Sequence, residues 1–203
     1  MEKEIKEFLA DIRTLAYENH IPVMRPLTTD LLSQLVSETE IKDALEIGTS
    51  IGVSASCLLA SSDAFLTTIE IDEDTLDKAK ENISKLGYSD RCNFILGDCH
   101  EVINMMSGNN KYDFIVLDGP KGHYLELYEM LVPMLKTNGT MLIDDVYYHN
   151  LVKNDSLPEK KHRTIVVNLR KLLERAKVDK RVIATSYDIE DGVLVVKKVK
   201  EYE

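Results

Sequence analysis

The chain has 203 residues, of which 44% are hydrophobic and 30% charged, and its formal net charge is −10. This composition is typical of one globular domain and excludes disordered and fibrous proteins. No apolar run approaches the roughly 20 residues that a membrane-spanning helix needs. An odd number of cysteines without a CxxC pair excludes a disulfide framework and a structural zinc site, so we expect a soluble, cytoplasmic protein; the cysteines are Cys57, Cys92 and Cys99.

Charge is distributed unevenly along the sequence. Residues 1–150 carry a net charge of −14, whereas residues 151–181 carry +6. A basic stretch on an acidic chain indicates a local anionic partner such as nucleic acid. The alternative is a solvated helix face that pairs with acidic neighbours, and composition alone leaves both interpretations open.

Hydrophobic periodicity predicts strands and helices that alternate after two N-terminal helices. In chain order the predicted elements are helices 2–18 and 28–38, strand 43–47, helix 52–60, strand 65–71, helix 74–86, strand 92–96, helix 101–106, strand 112–117, helix 124–135, strand 140–143, helix 163–176 and strands 182–187 and 193–199. This order predicts an α/β fold, with a mostly parallel sheet, helices on both faces and a C-terminal antiparallel hairpin. We expect a single domain over residues 1–203, in which the helices of residues 1–40 cover the functional site.

Three residues at consecutive strand ends predict a nucleoside pocket. Gly48 opens a GTSIG turn after the first strand, Glu70 ends the second strand and Asp98 follows the third. Ligands of open α/β sheets bind at the carboxyl ends of strands, where an acid accepts ribose hydroxyls. The GxxxG spacing differs from the GxGxxG of dinucleotide-binding folds. Helix capping by Asp98 and a surface position for Glu70 are the alternative interpretations.

Three carboxylates and a lysine follow the next two strands. Asp118 ends the fourth strand, and the pair Asp144 and Asp145 ends the fifth. Carboxylates brought this close together repel one another, so one of them is protonated or a cation lies among them. All-oxygen ligation favours a hard ion such as Mg²⁺. Lys121 is a candidate base if its pKa is lowered; the alternative is a capped turn with a surface lysine.

These motifs resemble those of a known enzyme family. LEIGTSIGVSA, TTIEID and LGD, followed by VLDGPKGHY and LIDDVYYHNLV, are similar to the motifs of class I S-adenosylmethionine-dependent methyltransferases of the catechol and caffeoyl-CoA O-methyltransferase family. The resemblance implies a Rossmann-like fold with a seven-stranded sheet, S-adenosylmethionine as cofactor and a divalent cation such as Mg²⁺. The cofactor-binding residues that it implies are Met24, Glu46, Gly48, Ser54, Glu70, Asp98, Cys99 and Asp118.

The resemblance also assigns the chemistry of the second group. Asp118, Asp144 and Asp145 correspond to the ligands of a cation that binds two neighbouring oxygens of the acceptor, and Lys121 to the residue that helps remove a proton. The third ligand is usually Asn in this family, whereas here it is Asp145, which adds a negative charge. An acceptor oxygen then attacks the methyl group of the cofactor in line.

The acceptor is predicted from a narrower resemblance. KKHRTIVVNLRKLLE, after the last metal motif, looks like a bacterial subgroup that methylates 5-hydroxyuridine at the tRNA wobble position to 5-methoxyuridine. We expect aromatic residues to stack on an unpaired anticodon base; these are Tyr147, Tyr148 and His149. The residues predicted to contact RNA phosphates are Lys153, Lys160, Lys161, Arg163, Arg170 and Lys171. The resemblance further implies a homodimer.

Other acceptors and other classes of protein remain open at this point. A small catechol-like or CoA-linked phenol is the alternative acceptor. A nicotinamide-dependent oxidoreductase is disfavoured by the missing GxGxxG motif, and a noncatalytic binding module by Lys121 and the three acids. The acidic remainder of the chain argues against a dedicated RNA-binding protein.

Overall fold

The structure is a computed structural model that describes residues 3–106, 108–154, 156 and 158–199. The helices in this part of the chain are α1 (Lys3–Glu18), α2 (Pro26–Ser37), α3 (Val53–Ser61), α4 (Glu73–Lys85), α5 (Cys99–Met105), α6 (Tyr124–Met134) and α7 (Lys160–Val178). The strands are β1 (Asp43–Ile47), β2 (Phe65–Glu70), β3 (Cys92–Leu96), β4 (Tyr112–Leu117), β5 (Leu135–Ile143), β6 (Val182–Tyr187) and β7 (Val193–Lys198). The described residues form two compact units, Met1–Met106 and Ser107–Glu203.

The first unit contains three parallel strands in the order β3-β2-β1. The apolar run of β1 is buried from Ala44 to Ile47, as expected for a strand covered on both faces. Helix α1 is amphipathic and buries Leu9, Ile12 and Ala16. Because all three strands run in one direction, their carboxyl ends lie at one edge of the sheet.

The second unit contains four strands in the order β4-β5-β7-β6. Strand β5 pairs parallel with β4 and antiparallel with β7, and β6 and β7 form the antiparallel C-terminal hairpin. Helices α6 and α7 belong to this unit, and α7 buries Val166, Leu169, Leu172 and Ala176 along one face. The carboxyl ends of the parallel pair again lie side by side, with Leu117 opposite Ile143.

The strand order over the whole sheet is β3-β2-β1-β4-β5-β7-β6. The predicted fold class, a mostly parallel seven-stranded sheet with an antiparallel C-terminal hairpin, is therefore confirmed. The expectation that residues 1–203 act as a single domain stays a prediction. Within the described residues, none of the helices is long and apolar enough to cross a membrane.

Several element boundaries differ from the sequence-based prediction, and local features accompany some of the larger differences. Helix α2 begins at Pro26, two residues early, since proline is well suited to the first helical position. Helix α5 begins at Cys99 because Asp98 caps it. Strand β5 begins at Leu135, five residues early, and absorbs Asn138 and its neighbouring glycine as an irregularity in its pairing with β4. Helix α7 extends to both sides of the predicted range.

Candidate active site

The glycine loop, residues 48–52, connects β1 to α3 in the first unit. Gly48 and Gly52 have φ angles of 92° and 84°, in the left-handed region that glycine adopts at little cost. A Cβ atom on Gly52 would lie 3.2 Å from the Cβ atom of Ala79, so α4 closely approaches the loop. The N–H of Gly48 donates to the carbonyl of Ile69 at 2.9 Å. The loop thus needs glycine where it turns into the helix.

Glu70, at the end of β2, braces the glycine loop through its carboxylate. Oε2 accepts a hydrogen bond from the N–H of Ser50 at 2.7 Å. Oε1 accepts from the N–H groups of Ile71 and Asp72 at 2.8 and 3.1 Å. An ionised carboxylate offers about four acceptor positions, so about one remains for a ligand hydroxyl. Glu70 is therefore an anchored, half-buried group and not a free surface residue.

Asp98 and Cys99 lie at the next strand end, beside Glu70. The N–H of Gly97 donates to the carbonyl of Glu70 at 2.8 Å, which aligns the ends of β2 and β3. Oδ1 of Asp98 caps α5 by accepting from the N–H groups of His100 and Glu101 at 2.9 and 3.2 Å. Capping engages Oδ1, so the capping interpretation and the predicted adenine contact are compatible. Gly48, Glu70 and Asp98 occupy three neighbouring strand ends, as predicted.

Met24 and the segment before it are tied to the rest of the first unit. Nε of the buried Arg13 donates to the carbonyl of Met24 at 3.2 Å, and its Nη2 to Oγ1 of Thr29 at 2.5 Å. The hydroxyl of Ser50, in the glycine loop, donates to the carbonyl of Pro22 at 2.8 Å. These bonds connect the segment that precedes α2 with the glycine loop, although the predicted contact of Met24 with a cofactor stays a prediction.

Glu46 and Ser54 are both buried next to the glycine loop. The carboxylate of Glu46 lies inside the sheet, where Oγ1 of Thr68 donates to Oε2 at 2.5 Å. Oγ1 of Thr68 also lies 2.5 Å from Oγ1 of Thr49. Ser54 is the second residue of α3 and is 4% exposed. Glu46 therefore has a structural role, because it holds Thr68, and Thr68 in turn contacts Thr49 of the glycine loop.

In the second unit, three carboxylates converge at the ends of β4 and β5. One oxygen from each of Asp118, Asp144 and Asp145 lies within 4.8 Å of the others. The N–H of Asp144 donates to the carbonyl of Leu117 at 3.1 Å, which holds the two strand ends together. Asp145 has a φ angle of 56°, a left-handed conformation that Asp and Asn tolerate better than other side chains. The predicted grouping of these acids is thus observed.

The three carboxylates of this acidic cluster repel one another unless a proton or a cation lies among them. Burial, followed by the charges of Asp118 and Asp145, raises the pKa of Asp144 well above its usual value. Nζ of Lys121 lies 2.9 Å from Oδ2 of Asp145 and 3.6 Å from Oδ1 of Asp118. Three carboxylates and one ammonium leave excess negative charge, and the all-oxygen donor set suits Mg²⁺ or a similar hard ion. These residues therefore fit the divalent cation that the motifs imply.

Known proteins resemble this chain over nearly its whole length. A family described as O-methyltransferase matches residues 2–199. The chain belongs to this O-methyltransferase family. It is 24% identical over 205 residues to a caffeoyl-CoA O-methyltransferase from Stellaria longipes, with 95% of this chain and 84% of the relative covered.

Solved structures extend the similarity. A crystal structure from Staphylococcus aureus, described as a candidate caffeoyl-CoA O-methyltransferase, superposes with a TM-score of 0.86 at 28% identity and covers 94% of this chain and 91% of that one. An O-methyltransferase from Bacillus cereus, in complex with SAH, superposes with a TM-score of 0.82 at 22% identity, with 95% and 90% covered. The second similarity establishes the fold alone.

The pKa of Lys121 in this O-methyltransferase is shifted in the direction opposite to the one that a base requires. Burial of the amine opposes its charge, but the carboxylates of Asp118 and Asp145 outweigh burial and raise the pKa of Lys121. The sequence analysis made Lys121 a candidate base only if its pKa is lowered, whereas in this structure its pKa is raised. Lys121 is an ammonium ion that partly neutralises the acidic cluster.

Two of the predicted RNA-contacting residues are engaged within the second unit. Nζ of Lys153 pairs with Asp188 and lies 4.2 Å from the centroid of the Tyr147 ring. The guanidinium group of Arg170 donates to backbone carbonyl groups that follow Tyr147. The remaining four are exposed and stay predictions; they are Lys160, Lys161, Arg163 and Lys171.

Sequence reasoning did not identify Tyr124 as a neighbour of the acidic cluster. Tyr124 is fully buried at the start of α6, and its pKa is raised well above its usual value by burial and then by the charges of Asp118, Asp144 and Asp145. Its position three residues after Lys121, at the beginning of a helix, was the available signal.

Proposed function

We propose that this protein transfers a methyl group from S-adenosylmethionine to an oxygen of an acceptor with two neighbouring oxygens, in a reaction that depends on a divalent cation. The observation that carries the proposal is the group of three carboxylates, which approach within 4.8 Å, with Lys121 paired to two of them, Asp118 and Asp145. Repulsion among such close carboxylates destabilises the fold unless a bound cation offsets it, and groups of this kind are common at functional sites. Asp118, Asp144 and Asp145 would hold the cation.

The first unit supplies the proposed donor site. The acceptor position that remains on Glu70 suits a ribose hydroxyl, and Asp98 with Cys99 suits an adenine ring. In the proposal, the amino-acid part of the donor lies against the glycine loop near Ser54, and Met24 lies over it. Asp118, the eighth predicted donor contact, belongs to the second unit, and its contact with the donor stays a prediction.

In the proposed step, an acceptor hydroxyl loses its proton and its oxygen forms a bond to the methyl carbon of the donor. The bond between that carbon and the sulfonium sulfur breaks, and S-adenosylhomocysteine leaves with the electron pair. A cation held by the acidic cluster would supply positive charge, which lowers the pKa of the acceptor hydroxyl and weakens the carboxylates' hold on the proton of Lys121. Lys121 would first release its ammonium proton to solvent and then, as a neutral amine, accept the proton of the acceptor hydroxyl.

The acceptor that we propose is 5-hydroxyuridine in the tRNA anticodon, whose hydroxyl and adjacent carbonyl form the required oxygen pair. Exposed basic side chains near the start of α7 support an RNA backbone contact; they are Lys160, Lys161 and Arg163. The ring centroids of Tyr148 and His149 lie 4.9 Å apart, and aromatic side chains of this kind stack on unpaired bases. Lys171 extends the basic surface, whereas Arg170 is withdrawn from it.

A small phenol is the second candidate acceptor. The relative from Stellaria longipes is named for caffeoyl-CoA, and a catechol offers the same pair of neighbouring oxygens. The acidic cluster suits both acceptors equally. A free catechol has no phosphate for the basic surface to bind, so this surface favours tRNA over a free catechol. A CoA-linked phenol carries phosphates and is not separated from tRNA by this observation. A homodimer also stays a prediction, which light scattering of the purified protein would check.

The test is transfer of labelled methyl groups to tRNA containing 5-hydroxyuridine and, in parallel, to a simple catechol, with Mg²⁺ or with EDTA. We expect labelling that EDTA abolishes and that Asp144→Ala lowers by at least about a hundredfold. Asp77→Ala, which removes an exposed carboxylate from α4, is the matched control and should retain full activity. Full activity of Asp144→Ala, or labelling that EDTA leaves intact, would refute the role of the cation.

The acceptor is decided by charge reversal. The triple variant Lys160→Glu, Lys161→Glu, Arg163→Glu should reduce tRNA labelling at least about tenfold and leave catechol labelling unchanged. The control is the triple variant Lys78→Glu, Lys80→Glu, Lys85→Glu, which reverses three exposed lysines of α4. Labelling of catechol alone by the unaltered protein would reject tRNA and support the phenol.

A further inference from the structure

The aromatic loop, residues 146–154, follows the acidic cluster and has an unusual backbone. Three consecutive residues without glycine adopt left-handed conformations: Tyr148, His149 and Asn150 have φ angles of 41°, 55° and 59°. Side chains other than glycine rarely adopt this region, and then mostly as single residues. Such a loop keeps one shape only where surrounding groups hold it. The second unit supplies those groups from α7 and from the β6–β7 hairpin.

The guanidinium group of Arg170, on α7, donates hydrogen bonds to backbone carbonyl groups of this loop and of Ser156, just after it. Nε donates to the carbonyl of Val152 at 3.2 Å, and Nη2 donates to that of Leu151 at 3.2 Å. Nη2 also donates to the carbonyls of Asn154 and, at 3.2 Å, Ser156. A planar fork of donors is suited to several carbonyls at once, whereas a lysine ammonium is a point charge.

Asp191, in the hairpin turn, holds the other end of the aromatic loop. Its Oδ2 accepts from the N–H of His149 at 2.7 Å, and its carbonyl accepts from the N–H of Tyr147 at 2.8 Å. The neighbouring Gly192 accepts from the N–H of Val146 at 3.0 Å. The Asp191 side chain is 5% exposed, so these bonds are shielded from water. The loop is therefore fixed on both sides by residues outside it.

A small cluster of rings lies at the surface of this fixed loop. The Tyr148 ring centroid is 4.9 Å from that of His149 and 5.6 Å from that of His162, on α7. The hydroxyl of Tyr148 lies 3.1 Å from Nδ1 of His162. The loop begins directly after Asp145, one of the proposed cation ligands. A change in the loop backbone would consequently move both the rings and that ligand.

We propose that Arg170 and Asp191 are positioning residues, which hold the aromatic loop so that its rings orient the acceptor beside the acidic cluster. Neither residue touches the acceptor in this proposal. The kinetic part rests on the proposed function. The competing role for Arg170 is the phosphate contact predicted from the sequence. A phosphate contact would tolerate Arg170→Lys and would matter for tRNA only, whereas a positioning role would not tolerate it and would matter for a small acceptor too.

The first measurement is hydrogen exchange of the loop amides, which needs no acceptor. In Arg170→Ala we expect the N–H groups of His149, Leu151 and Val152 to exchange at least about tenfold faster, while β1–β3 exchange as in the unaltered protein. Lys177→Ala, which removes an exposed charge from the same helix, is the matched control. Unchanged exchange in Arg170→Ala would overturn the positioning role, whether or not any acceptor is methylated.

The second measurement separates the loop from a phosphate contact. Arg170→Lys keeps the charge but lacks the fork, and we expect it to raise the KM for both tRNA and catechol roughly tenfold to a hundredfold, with the KM for the donor unchanged. Asp191 is acidic and cannot contact a phosphate favourably, so any effect of Asp191→Asn comes from the loop. We expect this variant to raise the KM for both acceptors as well. Normal kinetics for Arg170→Lys with both acceptors, or a loss confined to tRNA, would overturn the proposal. Methylation of neither acceptor by the unaltered protein would instead refute the proposed function.

Discussion

The glycine loop and the aromatic loop both follow a strand and both use left-handed backbone, but they achieve it differently. In the first, Gly48 and Gly52 take up the left-handed conformations at little cost, and its one other left-handed residue, Ser50, donates its N–H to Glu70. In the second, three side-chain-bearing residues do so at roughly 1–2 kcal/mol each. The second loop therefore depends on distant bonds from Arg170 and Asp191. Both loops are held by hydrogen bonds to other parts of their units, such as that from Ser50 to Glu70. Only the aromatic loop must also offset the strain of three consecutive side-chain-bearing residues in the left-handed region.

The largest effect that separates the two loops is expected at Gly192. A Cβ atom there would lie 2.2 Å from Cδ2 of Tyr147, and the φ angle of 82° adds backbone strain. We expect Gly192→Ala to lower the free energy of unfolding by about 3 kcal/mol and the melting temperature by about 6–12 °C. Thermal melting with circular dichroism checks this.

Gly87 supplies the control for Gly192→Ala. Its φ angle is 76°, yet nothing lies within 4 Å of an added Cβ atom. Gly87→Ala measures backbone strain alone and should cost about 1 kcal/mol. Equal losses in the two variants would mean that contact with Tyr147 does not hold the aromatic loop in place.

The next largest effect is expected at Asp179, which directly follows α7, and its contribution to the free energy of unfolding depends on pH. Burial opposes the charge of Asp179, but the hydrogen bonds from Arg181 and Tyr128 outweigh burial and lower the pKa of Asp179 from 3.8 to about 2. A carboxyl with a lowered pKa stabilises the fold above its unfolded pKa of about 4, and this stabilisation is lost as the pH falls toward 2. At pH 7 it amounts to about 2 kcal/mol.

Asp179→Asn should therefore lower the free energy of unfolding by about 2 kcal/mol at pH 7 and by progressively less below pH 4. Urea unfolding at a series of pH values measures the difference. Asp77→Asn removes an exposed carboxylate that pairs with Lys80 and should change little at any pH. A difference that stays constant from pH 7 to pH 2 would contradict the lowered pKa of Asp179.

The contrast between the loops also explains which parts of the site were predictable from the sequence. Glu70, Asp98 and Asp118 stand at the ends of apolar runs, so local pattern and the parallel sheet together brought them to neighbouring strand ends. Arg170 carries a positive charge in the sequence, but its carbonyl partners lie 14 to 19 residues earlier. No local pattern reports such a bond, and it was interpreted as a phosphate contact.

The same reasoning covers Lys121 and β5. The sign of the pKa shift of Lys121 depends on distances to carboxylates from two strands, which the sequence does not contain. The sequence predicted a strand over residues 140–143 only, whereas β5 begins at Leu135 and its pairing with β4 accommodates an irregularity. Local signals are overridden where tertiary contacts are strong.

In the glycine loop, the expected effect is smaller and falls on the donor. Gly52→Ala combines left-handed strain with a contact of 3.2 Å to Cβ of Ala79, so α4 must shift by a few tenths of an ångström. We expect a loss of about 1–2 kcal/mol in stability and weaker binding of S-adenosylhomocysteine, measured by titration calorimetry. Gly192→Ala should leave that affinity unchanged. Equal weakening by both variants would mean that the two loops do not behave independently.

The smallest effect is expected at Lys153, whose ammonium group pairs with Asp188 and lies over the ring of Tyr147. Exposed ion pairs contribute little, and a cation over an exposed ring adds about 0.5–1 kcal/mol. Lys153→Ala should lower the melting temperature by about 1–4 °C. Salt at 0.5 M screens exposed charges, so we expect melting in high salt to reduce the difference. A loss as large as that of Gly192→Ala would make Lys153 a main support of the aromatic loop, in place of Arg170 and Asp191.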